Sequence, residues 1–267
     1  EFNCEKFEDR LENGIKLILF NRPNTPIYIR GILKAGSCFD VKGKEGLNHF
    51  LEHMLANGSS RFPTKDKLAE HIESVGGTYG LATSNELMWV NVEIADATDI
   101  DRAIDVLDAI LVNPLISYEK IENERNVILS EIGRAEAQPE RIIYKTVLES
   151  AFVDSPFSHT PLGYKNTLAI IDHKDILLQK EKTLVVENIT FIVSGDISIK
   201  LLKEKLDILI IPKQQVSKTE INLDTPTDGV TRHVTFNSEQ TFMFIGFKGT
   251  DYFSGAGGRQ RPRGRIR

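Results

Sequence analysis

The sequence predicts an α+β fold, because strand patterns and helix patterns are mixed along one chain. Asn13-Gly14 is a strong hairpin signal and indicates antiparallel strands. The residues from Leu87 to Ile94 alternate between apolar and polar side chains, which is typical of a half-buried strand. Ile100–Leu111 instead places its apolar residues at helical spacing.

The remaining elements follow from the same patterns, taken in chain order. Thr64 is the predicted N-cap of one helix, Gly76-Gly77 ends that helix, and Ser117 is the predicted cap of a later one. His71 lies within the first of these helices without a partner at ligand spacing, and we interpret it as a surface or packing histidine. Strands are predicted at 15–20, 27–33, 78–83, 87–94 and 189–193, and helices at 64–75, 100–111, 117–138, 140–152 and 198–206.

Composition fits a folded soluble domain and restricts the class of partner. Of the 267 residues, 40% are hydrophobic and 27% are charged, and no apolar segment has the length of a membrane span. The formal net charge is −5, and without the five arginines of the C-terminal tail the chain has 28 basic and 38 acidic residues. This acidic body argues against nucleic acid as the main partner. Cys4 and Cys38 fit no metal-binding spacing, and we expect two free thiols.

The chemically distinctive segment runs from Gly46 to Gly58 and contains an H-x-x-E-H pattern formed by His49, Glu52 and His53. Its apolar residues recur at helical spacing, so the two histidines share one helix face and supply two of the three protein ligands of a catalytic zinc. Glu52 lies on the same side and is placed to take a proton from a metal-bound water. The alternative interpretation is a core helix with two hydrogen-bonded histidines.

A third protein ligand is sought in the glutamate-rich helix predicted at 117–138. Glu124 and Glu131 are seven residues apart, nearly two helical turns, and lie on almost the same face. A carboxylate beside a buried apolar stripe is costly unless it is paired or bound to a metal. Spacing alone leaves a solvated acidic face as an equally good interpretation.

The order of these motifs resembles the pitrilysin-type (M16) family of zinc peptidases. The likeness covers about residues 11–196 and resumes weakly at 240–249. It implies an α+β domain with a mostly antiparallel sheet packed against helices (an M16 peptidase / LuxS-like metallohydrolase domain), with the start of a second similar domain. The segments that carry it are LENGIKLIL, AGSCFD, HFLEHML, NGSSRFP, the Gly-Gly stop, ENERNVILSEI, SHTPLGY and ITFIVSGDI.

The resemblance also assigns roles to individual residues. It implies that His49, His53 and Glu131 bind one zinc ion per chain. It makes Glu52 the general base and places Glu124 in the catalytic set as a carboxylate that supports the site from outside the ligand shell.

The resemblance further implies a peptide-binding segment directly after the Gly-Gly stop. It comprises Gly80, Leu81, Ala82 and Thr83. The family usually has Asn-Ala where this chain has Gly80 and Leu81, and that pair helps to hold the substrate backbone. The departure concerns the strength or specificity of substrate docking and leaves the predicted metal site unaffected.

The function implied is a zinc-dependent endopeptidase that hydrolyses peptides or unfolded protein segments. In the family, two halves close around the peptide, and the second half contributes an Arg and a Tyr. We therefore expect a second M16-type half, from the same or another chain, as partner. The alternatives are a non-catalytic partner or scaffold subunit and an inactive fragment. No nucleic acid and no membrane span are expected; the compartment stays open, with the cytoplasm favoured.

The expected domain organisation has four parts. Residues 1–210 form the zinc-peptidase domain, 211–232 a linker, and 233–254 the start of a second domain with strands from Val234 and from Thr241 to Phe247. Residues 255–267 carry five arginines and no acidic residue, share no pattern with the rest of the chain, and are expected to be non-native.

Overall fold

A six-stranded sheet forms the centre of the molecule. The computed structural model describes residues 4–214, 229–237 and 239–247. The strand order is β1-β2-β6-β3-β5-β4, and every neighbouring pair is antiparallel except β2 and β6, which are parallel. This confirms the predicted α+β class with a mostly antiparallel sheet. The strands are β1 (Glu5–Arg10), β2 (Lys16–Asn21), β3 (Ile27–Leu33), β4 (Thr78–Thr83), β5 (Met88–Ile94) and β6 (Ile189–Gly195).

Helices pack on the sheet and on one another around one apolar core. The helices are α1 (Leu47–Leu55), α2 (Lys65–Glu73), α3 (Ile100–Leu111), α4 (Ile121–Glu136), α5 (Pro139–Ala151), α6 (Lys165–Ile170), α7 (His173–Thr183) and α8 (Ile199–Leu206). The core joins the buried faces of the strands to the apolar sides of α1, α3 and α4.

The period-two pattern of the strands explains which face of the sheet is covered. Along β3, Ile27 and Ile29 are completely buried, whereas Tyr28 and Arg30, which alternate with them, are only half-buried. On the polar side of the sheet, Arg30 donates a hydrogen bond from Nε to Asn91 Oδ1 on β5 at 2.7 Å. Burial of the apolar side therefore fixes the register of the central strands.

Most predicted elements are confirmed, and one cap is wrong. Thr64 caps α2 by accepting a hydrogen bond from the backbone N–H of Lys67 at 3.3 Å. Ser117 makes no capping hydrogen bond, because a short 3₁₀ turn at Tyr118–Lys120 intervenes and α4 begins only at Ile121. Helices α6 and α7 were not among the predicted elements.

The two strands predicted in the C-terminal region do not form. Residues 229–237 and 239–247 contain no strand, although Val234 and the segment from Thr241 to Phe247 have strand-like sequences. A strand is stabilised by hydrogen bonding to a neighbouring strand, and no such pairing occurs among the described residues of this region. The proposed domain boundaries stay a prediction, and the tail at 255–267 lies outside the described residues.

Two further sequence expectations concern membranes and thiols. None of the helices in the described part of the chain combines the length and apolar character needed to cross a bilayer. Cys4 and Cys38 are free thiols, the first exposed and the second buried, as expected.

Candidate metal centre

The helix that carries the H-x-x-E-H pattern is fixed at its N-terminus by a buried carboxylate. Asp40 accepts hydrogen bonds from the backbone N–H groups of Gly46 and Asn48 at 2.7 and 2.8 Å. His159 Nε2 lies 3.3 Å from the same carboxylate. Gly46 has φ 99°, and a Cβ there would lie 2.9 Å from the carbonyl oxygen of Leu162, so glycine is required at the start of α1.

Side chains from α1 and α4 converge on one point. His49 Nε2 lies 3.6 Å from Glu131 Oε2, and His53 Nε2 lies 3.7 Å from the same oxygen. The two imidazole rings are 4.7 Å apart and nearly perpendicular. Within the described ranges, these three residues are the one group of three or more His, Cys, Asp or Glu side chains able to hold a metal ion, with donor atoms within 4.8 Å of one another.

The outer nitrogen of His53 is held by a carboxylate. Its Nδ1 lies 3.0 Å from Glu124 Oε2, and Glu124 Oε1 accepts a hydrogen bond from Asn57 Nδ2 at 2.9 Å. Because an ionised carboxylate only accepts, this contact assigns the proton to Nδ1 and leaves the Nε2 lone pair facing His49 and Glu131. Burial, the largest influence, lowers the pKa of His53, but the Glu124 hydrogen bond and the nearby carboxylate charges together raise it above its ordinary value.

His49 has the opposite environment on its outer side. Its Nδ1 is buried and has no hydrogen-bond partner among the described residues. Burial, assisted by the charge of His53, lowers the pKa of His49 to about 3. His49 is therefore a neutral imidazole over the whole pH range in which the protein would bind a metal.

Glu52 lies on the same helix, and its side chain contacts Thr83 of β4. Its Oε2 accepts a hydrogen bond from Thr83 Oγ1 at 2.7 Å. Burial raises the pKa of Glu52, and the Thr83 hydrogen bond opposes part of that rise. The structure therefore separates the four residues of the predicted centre into three that converge and one carboxylate beside them.

The converging residues fit a zinc ion. Two zinc–ligand bonds of about 2.0–2.1 Å at a tetrahedral angle would hold donor atoms about 3.3 Å apart. The distances of 3.6 and 3.7 Å from the two histidines to Glu131 are close to this value, and all three donor atoms lie within 4.8 Å of one another. Two imidazoles and one carboxylate are also a donor set typical of catalytic zinc, which leaves a position for water.

The predicted peptide-binding residues lie on an edge strand of the sheet. Gly80, Leu81, Ala82 and Thr83 belong to β4, and the only strand that pairs with β4 among the described residues is β5. Thr83 reaches Glu52, whereas the other three do not contact the candidate metal ligands through any hydrogen bond or ion pair. An ideal Cβ at Gly80 meets no atom within 4 Å, so close packing does not require the glycine.

Two groups of supporting residues were missed by the sequence reasoning. Asn57 follows His53 by four residues, and this helical spacing could have indicated that both reach Glu124. Asp40 and Asn48 are eight residues apart and His159 follows Asp40 by 119 residues, and no sequence pattern links the three.

A second histidine–carboxylate pair lies elsewhere, between α2 and α3. His71 Nε2 is 3.0 Å from Asp105 Oδ2. Arg61 forms an ion pair with the other oxygen of Asp105, and Arg102 donates to the carbonyl oxygen of His71 at 2.8 Å. The His71 ring packs on Phe62 with centroids 4.7 Å apart, in agreement with its interpretation as a packing histidine.

Comparison with known proteins identifies the family. The model of Insulinase (Peptidase family M16) matches residues 20–163, a segment that contains both histidines of the pattern and also Glu124 and Glu131. The chain belongs to peptidase family M16. The resemblance inferred from the sequence motifs is therefore confirmed.

Individual relatives agree with this assignment. An uncharacterized zinc protease of Rickettsia bellii is 28% identical over 256 residues, which cover 95% of this chain and 60% of that protein. A protease from Helicobacter pylori has a TM-score of 0.77 at 19% identity, covering 84% of this chain and 55% of that one. An inactive M16 domain from Pseudomonas fluorescens has a TM-score of 0.74 at 16% identity, covering 82% and 53%. The chain thus spans about three fifths of the length of its curated relative from Rickettsia.

Proposed function

We propose that this chain carries the catalytic domain of a zinc-dependent endopeptidase that hydrolyses peptides or unfolded protein segments. The observation that carries the proposal is the convergence of His49, His53 and Glu131 with the carboxylate of Glu52 beside them. Membership of peptidase family M16 and the zinc protease from Rickettsia support the same activity.

The chain's own residues divide the chemistry among them. His49, His53 and Glu131 would hold the metal, and Glu124 keeps His53 in the tautomer that presents Nε2. When bound, zinc lowers the pKa of a water ligand to about 7 and polarises the scissile carbonyl. Glu52 would take the proton of that water and return it to the leaving amine nitrogen.

The substrate would bind as an added strand at the side of β4 that pairs with no other strand of the described residues. Backbone hydrogen bonding to Thr78–Thr83 would hold an extended peptide with little dependence on its side chains. Gly80→Asn would restore the residue usual in the family in an open space. We expect this variant to lower KM by less than about tenfold, because one additional hydrogen bond contributes about 0.5–1.5 kcal/mol. An unchanged or higher KM would argue against docking at this position.

Enclosure of the peptide would require a second M16-type half. The relative from Rickettsia is longer than the part matched here, which covers 60% of it. A half-open site leaves the peptide in water, and positioning supplies up to about 7–11 kcal/mol of a reaction barrier. We expect a longer chain that continues into a second half, or a mixture with a separate half, to cleave much faster than this chain alone.

The proposal is tested by zinc analysis combined with peptide cleavage. The zinc-loaded chain, with and without a second half, is assayed on quenched fluorogenic peptides of unstructured sequence. Glu52→Gln should keep zinc and lose cleavage, because the proton acceptor is removed while the ligands stay. Glu70→Gln, on the exposed side of α2, serves as the matched control and should leave both properties unchanged.

Two results would contradict the proposal. Undiminished cleavage by Glu52→Gln would exclude Glu52 as the base. Full zinc occupancy without cleavage, even with a second half present, would favour the non-catalytic partner subunit. The observation that favours a non-catalytic subunit as the second candidate is the similar fold of the inactive M16 domain of Pseudomonas fluorescens.

A further inference from the structure

The carboxylate of Glu52 is held at one oxygen only. Thr83 Oγ1 donates to Oε2 at 2.7 Å, and among the described residues no other group forms a hydrogen bond to this carboxylate. A hydrogen bond from a hydroxyl to an ionised carboxylate is about twice as strong as one between neutral groups. Oε1 is therefore left as the oxygen available to accept a proton.

Thr83 is well suited to hold a carboxylate in one orientation. It is the last residue of β4 and is paired with Met88 of β5, so its backbone is fixed by the sheet. Its β-branched side chain has few χ1 rotamers, which restricts the position of Oγ1 further. Glutamate has three rotatable side-chain bonds, and without such a contact its carboxylate would lose more conformational entropy on reaching a single reactive orientation.

The position of Thr83 also connects Glu52 to the sheet edge. The hydroxyl reaches Glu52 on α1, while the backbone of the same residue belongs to the edge strand. A peptide bound to β4 and the carboxylate of Glu52 would therefore both be held by β4. Small displacements of this strand would move the two together. Misplacement of reacting groups by about 1 Å costs on the order of 100-fold in rate.

We propose that Thr83 is a positioning residue for Glu52, whose hydroxyl holds Oε2 so that Oε1 faces the reacting water. The proposal rests on the proposed peptidase function and replaces the expectation that Thr83 acts through peptide binding. It predicts that the hydroxyl of Thr83 affects kcat, whereas the peptide affinity does not depend on it.

Three substitutions isolate the hydroxyl. Thr83→Val removes the donor and keeps the shape, Thr83→Ser keeps the donor, and Thr190→Val makes the same change on the central strand β6, away from the site. We expect Thr83→Val to lower kcat about 10- to 100-fold with KM unchanged. Thr83→Ser should restore most of the rate, and Thr190→Val should behave as the wild type.

Three measurements do not depend on turnover. Zinc affinity, measured by equilibrium dialysis, should be the same in Thr83→Val and in the wild type. Crystal structures of the metal-free proteins should show the Glu52 side chain in one rotamer in the wild type and in several in Thr83→Val. Binding of a fluorescein-labelled unstructured decapeptide to Glu52→Gln should be unchanged when Thr83→Val is added.

The outcomes separate this inference from the proposed function. A single unchanged Glu52 rotamer in Thr83→Val would overturn the inference, whether or not the chain is active. So would a raised peptide Kd with unchanged kcat, which would assign Thr83 to peptide binding. Cleavage that survives Glu52→Gln would instead overturn the proposed function, independently of the result for Thr83.

Discussion

Two histidine–carboxylate pairs in the described part of the chain have the same nitrogen–oxygen distance and different surroundings. In one, His53 on α1 lies 3.0 Å from Glu124 on α4; in the other, His71 on α2 lies 3.0 Å from Asp105 on α3. All four side chains are between 14% and 21% exposed. Distance and burial therefore do not distinguish them.

The neighbours of each pair make the difference. Beside His53, a second imidazole and the carboxylate of Glu131 complete a set of three donors. Beside His71, Arg61 occupies Asp105 and Arg102 binds the backbone of the histidine, so the cluster is a network of ion pairs and hydrogen bonds. Of these two pairs, only the one beside His53 has further donors that converge with the histidine, and only that pair belongs to a candidate metal site.

The largest expected effect is the loss of zinc when one ligand is removed. Removing an outer hydrogen-bond partner of a metal ligand costs about 10–100-fold in affinity. His53→Ala removes a ligand itself and should reduce zinc affinity by more than this. His71→Ala is the matched control and should keep one zinc per chain. Zinc content after dialysis, measured by mass spectrometry, checks both. Equal loss in the two variants would show that the two pairs do not differ as described.

A second prediction compares Glu124 and Glu131 of α4 with Asp105 of α3. Glu131→Gln removes an anionic donor and should weaken zinc binding strongly, because the amide is a poorer ligand. Glu124→Gln alters only the partner of His53 Nδ1 and should cost about 10–100-fold in affinity. Asp105→Asn should leave zinc binding unchanged. Competition titration against a chelator gives all three values, and a reversed order for the two glutamates would contradict their assigned positions.

The smallest expected effect is a shift in the pH dependence of zinc binding. Zinc binds neutral imidazole, so affinity falls as the pH decreases through the pKa of His53, which lies above its ordinary value of 6.5. His49, with a pKa of about 3, contributes no proton competition above pH 5. Glu124→Gln removes a contact that raises the pKa of His53, and the fall should therefore begin at lower pH.

The measurement is the zinc dissociation constant between pH 5 and pH 8. Asp105→Asn is the control and should give the wild-type profile, because Asp105 does not contact the metal centre. A profile that is unchanged in Glu124→Gln, or that moves to higher pH, would contradict the role assigned to the Glu124 hydrogen bond.

The two pairs also show how much of the candidate site could be predicted from the sequence. His49, Glu52 and His53 could be predicted because helical spacing alone brings them to one face. Spacing could not choose between Glu124 and Glu131, since the choice depends on how α4 packs against α1. The His71–Asp105 contact joins two helices and leaves no local signal, and the sequence indicated only that His71 has no neighbouring ligand.

The fold was predictable to a similar degree. Period-two segments such as Met88–Ile94 and apolar helices such as α3 follow directly from their patterns. Helix α6 has only six residues, and α7 buries only three of its eleven residues, so neither produces a clear periodicity. The prediction that Ser117 caps α4 was wrong, because a local sequence preference cannot reveal that a 3₁₀ turn precedes this helix.

The most direct test of the central claim is anomalous diffraction at the zinc edge from crystals of the zinc-loaded chain. The account predicts one strong peak within about 2.0–2.2 Å of His49 Nε2, His53 Nε2 and a Glu131 oxygen. It also predicts that Glu52 stays outside the ligand shell. A zinc ion bound at His71 and Asp105, or one coordinated by Glu52 in place of Glu131, would contradict it.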